Sequence, residues 1–342
     1  MKETDKWLVV VNPKAGVGKC EKDWPVIREL LTKEGFTFMS VLTEHQFHAI
    51  EITRDMVNNQ GFTKIIAVGG DGTLNEVVNG IFQQTRFAST DITLGMITVG
   101  TGNDWGRMYS FPLNYEKAVK ILKNERTFLQ DVGKVKYRYH SEDESRYFIN
   151  MAGMGYDALV AKKTNLMKAK GRGGALAYLF NLVVGLFQYK SIQLNIVVDG
   201  REVVDGEVFS MSIGICQFNG GGMKQLPNAI PDDGLYDMTV IKKTTKFRVV
   251  RNIKNLFDGS FVKMPEVETF TGKKISITST PRHAMFLETD GESLGCSPLD
   301  FEIVPRGIRL IVRKKALNRF GKSEQNTEAE EQKDLTQSFS VE

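Results

Sequence analysis

Short apolar segments alternate with helical patterns along the first 130 residues, and this alternation constrains the fold more than any other feature. Four strand-like runs, WLVVVNP, TFMSVLTEH, KIIAVGG and TLGMITVGTGND, are each followed by a stretch with helical periodicity. Strand–helix alternation at this spacing is typical of a parallel sheet with helices on both faces. We therefore predict an α/β domain over residues 1–130.

From about residue 130 the pattern becomes that of a mostly antiparallel β-domain. Runs such as SIQLNIVVDG, GEVFSMSIGICQF and KKISITST are bounded by glycine, aspartate or proline, and helical patterns are few. We predict this second domain over residues 131–315. Its last strand, GIRLIVRKK, has two candidate partners, namely the sheet of either domain. The polar residues 316–342 lack apolar periodicity and are predicted to be a disordered tail.

Composition and charge exclude several functional classes. The chain has 342 residues, a hydrophobic content of 41% and a net charge of only +4, which is too mild to indicate nucleic-acid binding. Its three cysteines lie far apart, which indicates a reducing compartment. Nothing near His45 and His48 completes a zinc set. The longest apolar run, residues 175–189, is shorter than the roughly 20 residues of a membrane span.

Three glycine-bearing loops follow three of the predicted parallel strands. They are NPKAGVGK (12–19), GGDGTLN (69–75) and GTGND (100–104). The carboxyl ends of parallel strands share one sheet edge, where ligands bind, and helix N-termini there favour phosphate. Neither common nucleotide fingerprint fits: a Walker A loop would need glycine at Pro13 and Ser or Thr at Cys20, and GxGxxG lacks its third glycine. We predict a phosphate ligand outside these two classes.

Two acidic segments are candidates for chemistry. Asp71 lies among the glycines of the second loop, where it would repel phosphate unless a cation lies between them. Its other interpretation is capping of the following helix, residues 73–82. In TDGES, Asp290 and Glu292 could accept a proton, or the segment could be a solvated β-turn, since Asp-Gly favours turns.

The motifs NPKAG, GGDGTLNEVVNG, GTGNDWGR, FINMAGMGYDA, NGGGMKQLPNAIPDDGLYD and ETDGESLGCSPLDFEIVP occur in this order from about residue 7 to 312. In order and spacing the chain resembles the diacylglycerol kinase catalytic family, which includes phosphatidylglycerol kinase-like and sphingosine kinase-related enzymes. GGDGT alone is shared with NAD kinases and phosphofructokinases, and the later motifs separate the families. The resemblance implies an α/β ATP-binding domain, a β-sandwich domain and an active site in the cleft between them.

The resemblance also implies transfer of the ATP γ-phosphate to a lipid hydroxyl. The favoured acceptor is diacylglycerol, which would give phosphatidic acid. A structural Mg²⁺ would lie on the PDDGLYD loop, held by the Asp233 carboxylate and the backbone carbonyls of Ile230 and Leu235. Glu292 is predicted as the proton acceptor, with Asp290 as the alternative. Residues implied to line the nucleotide are Asn12, Pro13, Lys14, Ala15, Gly16, Thr43, Gly69, Gly70, Asp71, Gly72, Thr73, Leu74, Asn75 and Thr101.

Phosphoryl transfer from ATP requires a divalent cation, so a metal role for Asp71 is favoured over capping. Thr98 stands where the family usually has proline, a departure that alters the stiffness of the loop that carries GTGND. The expected location is the cytoplasm, with peripheral attachment to the membrane that carries the lipid. A homodimer is a further candidate arrangement. The 175–189 helix is expected either to pack on the sandwich or to form one lip of the lipid cleft.

Two other functions remain open at this stage. An NAD kinase-like phosphotransferase would act on a soluble dinucleotide and would need no lipid. A catalytically silent lipid- or nucleotide-binding module would have no need of a proton acceptor, so the retention of Asp71, Asp233, Asp290 and Glu292 argues against it.

Overall fold

The computed structural model describes residues 6–100, 102–169, 185–186 and 189–320. Most of the apolar segment at 175–189, and with it the choice between packed helix and cleft lip, lies outside the described residues. Thr101 lies outside them as well.

The first part of the chain forms a parallel sheet flanked by helices. Its four strands pair in parallel in the order β2–β1–β3–β4. The strands are β1 (Trp7–Val11), β2 (Phe38–Leu42), β3 (Lys64–Gly69) and β4 (Thr93–Thr98). The helices are α1 (Ala15–Lys33), α2 (His48–Gln60), α3 (Asp71–Gln83), α4 (Asp104–Met108) and α5 (Tyr115–Lys123), with a 3₁₀ turn at Ser89–Asp91.

Strand β1 is buried on both faces, as its unbroken apolar run requires. Trp7, Val9 and Val11 pack with residues of α1 and α5, whereas Leu8 and Val10 pack with residues of α2 and α3. Successive side chains of a strand point to opposite faces, so one apolar pentapeptide serves two helical layers. Because β1, β3 and β4 run parallel, the glycine-bearing loops that follow them all emerge at one end of the sheet.

The second part of the chain is dominated by antiparallel strands. Where the structure describes this part, its helices include α6 (Tyr156–Ala169), α7 (Lys246–Arg251), α8 (Asn255–Asp258) and α9 (Lys314–Phe320), with a 3₁₀ turn at Ser260–Lys263. Its strands are β5 (Thr127–Tyr139), β6 (Glu142–Phe148), β7 (Met151–Gly155), β8 (Ile192–Val198), β9 (Arg201–Gly214), β10 (Tyr236–Lys242), β11 (Val267–Gly272), β12 (Lys274–Thr280), β13 (Phe286–Thr289) and β14 (Glu292–Ile311).

Strand β14 joins the two parts of the chain. Along most of its length it pairs antiparallel with β5, β12 and β13. At its end it pairs in parallel with β4, where Arg309 lies opposite Thr93 and Leu310 opposite Leu94. The last strand therefore takes a partner from the first part, and the strands of the described residues form one 14-stranded sheet. The boundary predicted at residue 130 falls inside β5.

The end of the described chain is helical. Ala316 in α9 is 4% exposed, and Leu317 packs against the main core. The tail predicted to be disordered from residue 316 therefore begins inside a helix, and residues 321–342 lie outside the described range. Among the described residues there is no helix with the length and hydropathy that crossing a membrane requires.

Candidate active site

The three glycine-bearing loops meet at the carboxyl edge of the parallel strands. A methyl group on Gly16 would overlap the carbonyl oxygen of Val99, and one on Gly100 would lie 2.7 Å from the Cα of Gly70. Gly16 also has a φ of 63°, which favours glycine. Only glycine at these positions allows the three backbones to approach this closely. The structure thus brings together the loops that the sequence predicted to share a ligand.

Side chains hold the first loop against the second. The Asn12 amide donates to the Thr73 hydroxyl at 3.0 Å, and its Oδ1 accepts from the Lys14 backbone N–H at 3.1 Å. The residues between and beside them, Pro13 and Ala15, are partly exposed. This clamp fixes the path of the loop in front of the N-terminus of α3, where backbone N–H groups favour an anion.

The other residues predicted to line the nucleotide differ in which of their atoms are accessible to a ligand. Thr43 is 8% exposed, and its backbone N–H donates to Val11 at the end of β1. The side chains of Leu74 and Asn75 are buried at 1% and 0% exposure, so nucleotide contact by these two would use the backbone only. Gly69 packs directly beneath Thr73.

Asp71 is the first residue of α3 and does not cap that helix, because Gly70 occupies the capping position without a side-chain hydrogen bond. Its carboxylate instead accepts from the backbone N–H groups of Asp104 and Trp105, at 3.2 and 3.3 Å, at the start of α4. The interpretation of Asp71 as a cap for its own helix is therefore wrong, because the carboxylate points across to the third loop.

Burial raises the pKa of Asp71 to about 6, and the negative charge of Asp104 adds to this rise. Asp104 is only 4% exposed and accepts from the Gly221 N–H at 2.8 Å, with Arg107 at 3.7 Å. Burial raises the pKa of Asp104 as well. Two neighbouring carboxylates, Asp104 buried and Asp71 half-buried, suit a bound divalent cation, which would lower the cost of keeping both ionised.

Asp290 is enclosed by hydrogen-bond donors. Its two oxygens accept from the Asn75 amide at 2.8 Å and from the backbone N–H groups of Ile149, Asn150 and Met151 at 3.0 to 3.1 Å. A carboxylate has about four lone-pair sites, so these four donors fill it. Burial raises the pKa of Asp290, and the donors oppose that rise. The residue links α3 to the second part of the chain.

Glu292, two residues later, faces the glycine loop instead. Its Oε1 lies 3.2 Å from the position that a Cβ on Gly72 would take, and its Oε2 accepts from Arg146 at 2.9 Å. The side chain retains 16% exposure. Burial raises the pKa of Glu292 to about 7, against the opposing effect of the Arg146 charge. A carboxyl group with this pKa is suited to proton transfer near neutral pH.

Arg146 on β6 organises the site, although nothing in the sequence pattern marked it. Its Nε donates to the Asn75 Oδ1 at 3.1 Å while its other arm holds Glu292. The guanidinium also lies 4.9 Å from the ring centre of Phe47, a residue with a left-handed φ of 67°. One arginine therefore connects the loop before α2, helix α3 and the Glu292 carboxylate.

Comparisons with known proteins agree with this geometry. Residues 6–135 match the family model described as the diacylglycerol kinase catalytic domain, and residues 150–312 match that described as the YegS C-terminal NAD kinase beta sandwich-like domain. A diacylglycerol kinase of Staphylococcus haemolyticus is 30% identical over 311 residues, covering 91% of this chain and 89% of the relative.

The chain belongs to the diacylglycerol kinase family. A second family relative, from Staphylococcus saprophyticus, is 31% identical over 294 residues, covering 86% of this chain and 90% of its own. The solved structure of a putative diacylglycerol kinase from Bacillus anthracis matches with a TM-score of 0.71 at 26% identity, covering 92% of this chain and 98% of that one. The predicted family membership is confirmed.

One further buried acid of this diacylglycerol kinase family member was missed from the sequence. Glu288 is 2% exposed and accepts from Asn219 at 3.2 Å and from the Gly291 N–H at 2.8 Å. Burial raises its pKa to about 8, while the hydrogen bonds from Gly291 and Asn219 oppose that rise. Its place two residues before Asp290 in the ETDGES motif was the available signal.

The PDDGLYD loop of this family member is rich in oxygen atoms. Asp233 is exposed and accepts from the Leu235 N–H at 3.0 Å, and Ile230 is 46% exposed. Burial raises the pKa of the neighbouring Asp131 to about 6, and the Asp233 charge adds to it. Burial and then Asp233 likewise raise the pKa of Asp237 to about 6. This crowding of acids fits a hard cation held by Asp233 and the loop carbonyls.

Replacing Asp233 by alanine is expected to lower the Mg²⁺-dependent part of the thermal stability. The melting temperature of wild type should rise by several degrees when EDTA is replaced by millimolar Mg²⁺, because a ligand of the folded state stabilises it. The variant should lose most of this rise, whereas the exposed Asp300→Ala variant should keep it. An unchanged Mg²⁺ response in the Asp233 variant would contradict a cation at this loop.

One potential ligand atom from each of His45, His48 and Glu51 lies within 4.8 Å of the other two. The prediction that nothing near the two histidines completes a ligand set is therefore wrong, because Glu51 is a third candidate ligand. The two imidazole rings are stacked 4.4 Å apart at 9°. Lone pairs of parallel rings run side by side and do not converge on one ion. His48 Nδ1 also accepts from the Glu44 N–H at 3.0 Å. We therefore assign no zinc site here.

Proposed function

We propose that this chain is an ATP-dependent lipid kinase that transfers the γ-phosphate of ATP to the hydroxyl of diacylglycerol, giving phosphatidic acid. The observation that carries the proposal is the Glu292 carboxylate. It lies beside Gly72 of the second glycine-bearing loop and is held by Arg146, and burial raises its pKa to about 7. A proton acceptor next to a phosphate-binding edge is what transfer to an alcohol requires.

The nucleotide would occupy the edge formed by the three glycine-bearing loops. Backbone N–H groups at the N-terminus of α3 favour its phosphates, and the exposed Lys14 brings a positive charge to the first of the three loops. Mg²⁺, when bound, would neutralise phosphate charge, and Asp71 is suited to hold it through water. The pair of Asp71 and Asp104 supports this assignment, because burial raises the pKa of both carboxyl groups and a cation beside them would favour their ionised forms.

The residues of the chain would perform the proton transfer. Glu292 accepts the hydroxyl proton as the lipid oxygen forms a bond to the γ-phosphorus. The bond between that phosphorus and the bridging oxygen breaks, and ADP leaves with the electron pair. Arg146 holds Glu292 in place and favours its ionised form before the reaction. Asp290, with all its acceptor sites in use, positions the two parts of the chain around this centre.

The acceptor lipid is assigned from the family. Relatives named diacylglycerol kinase cover nearly the whole chain at about 30% identity. Such a lipid resides in a membrane, so the enzyme would work at a membrane surface in the cytoplasm. The acceptor would enter the cleft between the glycine-bearing loops and the strand that carries Glu292.

Replacing Asp71 by asparagine is expected to lower the turnover number by about 10²-fold or more, because the carboxylate charge that supports the cation is lost. The effect should shrink as Mg²⁺ is raised, so turnover is measured across Mg²⁺ concentrations. Asparagine can accept from only one of the two α4 N–H groups and leaves the other facing its NH₂ group, so a moderate fall in melting temperature is expected and the variant should still be folded. Wild-type turnover at limiting Mg²⁺ would rule out the metal role.

A radiolabelled-ATP assay against a lipid panel tests the proposal. Diacylglycerol, phosphatidylglycerol and a sphingoid base are each presented in mixed micelles with Mg²⁺, and NAD is tested without lipid. The expected result is a labelled product from diacylglycerol that the Glu292→Gln variant forms at least about 10²-fold more slowly. Phosphorylation of NAD alone would identify an NAD kinase-like enzyme, and transfer to none of them would support a silent binding module.

A further inference from the structure

The segment between β10 and β11, residues 243–266, carries a surface that the catalytic mechanism does not use. Helices α7 and α8 follow each other there, and the 3₁₀ turn at Ser260–Lys263 leads into β11. Three large apolar side chains point into solvent: Phe247 is 75% exposed, Phe257 57% and Val250 43%. Phe247 and Val250 lie three residues apart on α7, where such residues are neighbours, and Phe257 follows on α8, so both short helices expose apolar side chains.

Basic residues surround these apolar side chains. Residues 246–263 contain five Lys or Arg and one acid, Asp258. Arg251, Lys254 and Lys263 are exposed, and Arg248 pairs with Glu266 at 3.3 Å. Exposed aromatic side chains beside lysine and arginine are typical of helices that lie in the interface of an anionic membrane.

The inner side of the same segment packs towards the site. Val249 and Ile253 contact an apolar cluster formed by Tyr156, Val160, Leu186 and Phe209. Tyr156 follows β7 directly, and β7 pairs with β13, which ends immediately before Asp290. The segment that exposes Phe247, Val250 and Phe257 is therefore anchored by its inner side to the apolar cluster that borders the strands of the catalytic centre.

We propose that Phe247, Val250 and Phe257, with Arg251 and Lys254, form the surface by which this chain docks on an anionic membrane. The apolar side chains enter the boundary between headgroups and acyl chains, while the basic side chains contact lipid phosphates. This docking proposal extends the proposed function and rests on it, since a kinase of a membrane lipid must reach its substrate at the membrane. The basic side chains of the surface complement the negative charge of an anionic bilayer, so a lipid bilayer is the partner that we assign to this surface.

Vesicle co-sedimentation of the full chain, without ATP, tests the surface separately from catalysis. Wild type should bind vesicles of phosphatidylcholine with about a third phosphatidylglycerol more tightly than vesicles of phosphatidylcholine alone, and less tightly at high salt. Two paired variants, Phe247→Ser with Phe257→Ser and Arg251→Glu with Lys254→Glu, should each lower the partition coefficient roughly tenfold or more.

Matched controls use exposed residues away from this surface. Leu113→Ser removes an apolar side chain that is 68% exposed, and Lys117→Glu with Arg201→Glu reverses two exposed charges. Both should bind vesicles like wild type. Melting temperatures of all variants establish that they are folded. Wild-type vesicle binding by either paired variant would overturn the proposal. A paired variant that still binds vesicles but changes its oligomeric state on gel filtration would overturn it as well, because the surface would then join copies of the chain.

Activity measurements keep the two proposals distinguishable. On diacylglycerol in neutral detergent micelles, the paired variants should match wild type, because the surface is separate from Glu292 and the glycine-bearing loops. On diacylglycerol in anionic vesicles, they should lose roughly tenfold in rate. A chain that binds vesicles through this surface but phosphorylates no lipid would refute the proposed function alone.

Discussion

Replacing Glu292 by glutamine is expected to lower kcat by at least about 10²-fold, the scale of losing a general base. Glutamine preserves size and can still accept from Arg146, but it cannot take the hydroxyl proton. The KM for ATP should change little, because the glycine-bearing loops belong to other strands. The measurement is steady-state kinetics with diacylglycerol micelles, and Glu142→Gln on the exposed end of β6 is the control.

The pH dependence gives an independent readout of the same assignment. Burial raises the pKa of Glu292 to about 7, and only the ionised form can accept a proton. Below pH 7 the wild-type rate should therefore fall about tenfold per pH unit, and above it the rate should level off. The glutamine variant should lack this dependence. A glutamine variant with most of the wild-type turnover and the same pH profile would show that Glu292 is not the base.

Replacing Asp290 by asparagine is expected to reduce stability strongly. One oxygen becomes an NH₂ group that faces two backbone or side-chain donors, so both lose their acceptor and an extra donor is buried. Hydrogen bonds to charged groups and unsatisfied buried donors each amount to about 1.5–3 kcal/mol, so we expect a loss of roughly 3 kcal/mol or more. Urea denaturation measures this loss.

The control for that experiment is Asp143→Asn. Asp143 pairs with Arg138 at 2.8 Å on the surface, where its side chain is 77% exposed, and removing its charge should change stability by less than about 1 kcal/mol. An Asp290→Asn variant with wild-type stability and a rate as low as that of Glu292→Gln would reverse the two roles. The pair of variants thus separates the positioning carboxylate from the proton acceptor.

Local sequence rules located the glycine-bearing loops but could not orient Asp290 and Glu292. Residues two apart on a strand share a face, which made the two acids interchangeable candidates. Asp290, however, has a left-handed φ of 48° and lies in the turn before β14, whereas Glu292 is the first residue of that strand. The turn directs one carboxylate into a nest of donors and the other towards Gly72.

Contacts between distant segments account for the other differences. Asp71 accepts from the start of α4 because the loops of β3 and β4 are close enough for Gly70 and Gly100 to touch, and helix-capping patterns carry no information on that approach. Arg146 reaches Glu292 from another strand, 146 residues earlier in the chain. Hydrophobic periodicity predicts that β6 is a strand, but it does not identify the partner of each side chain.

Strand β14 has a consequence for how the chain is made. One edge of β4 stays unpaired until Arg309 and Leu310 arrive, roughly 200 residues later in synthesis. At ribosomal rates of about 5–20 residues per second, that edge waits on the order of 10 to 40 s. An open strand edge is a template for pairing with other chains, so the parallel sheet of a nascent chain is protected from such pairing only after its last strand has been made. Chains that terminate before residue 309 should therefore aggregate, even though every glycine-bearing loop has already been synthesised.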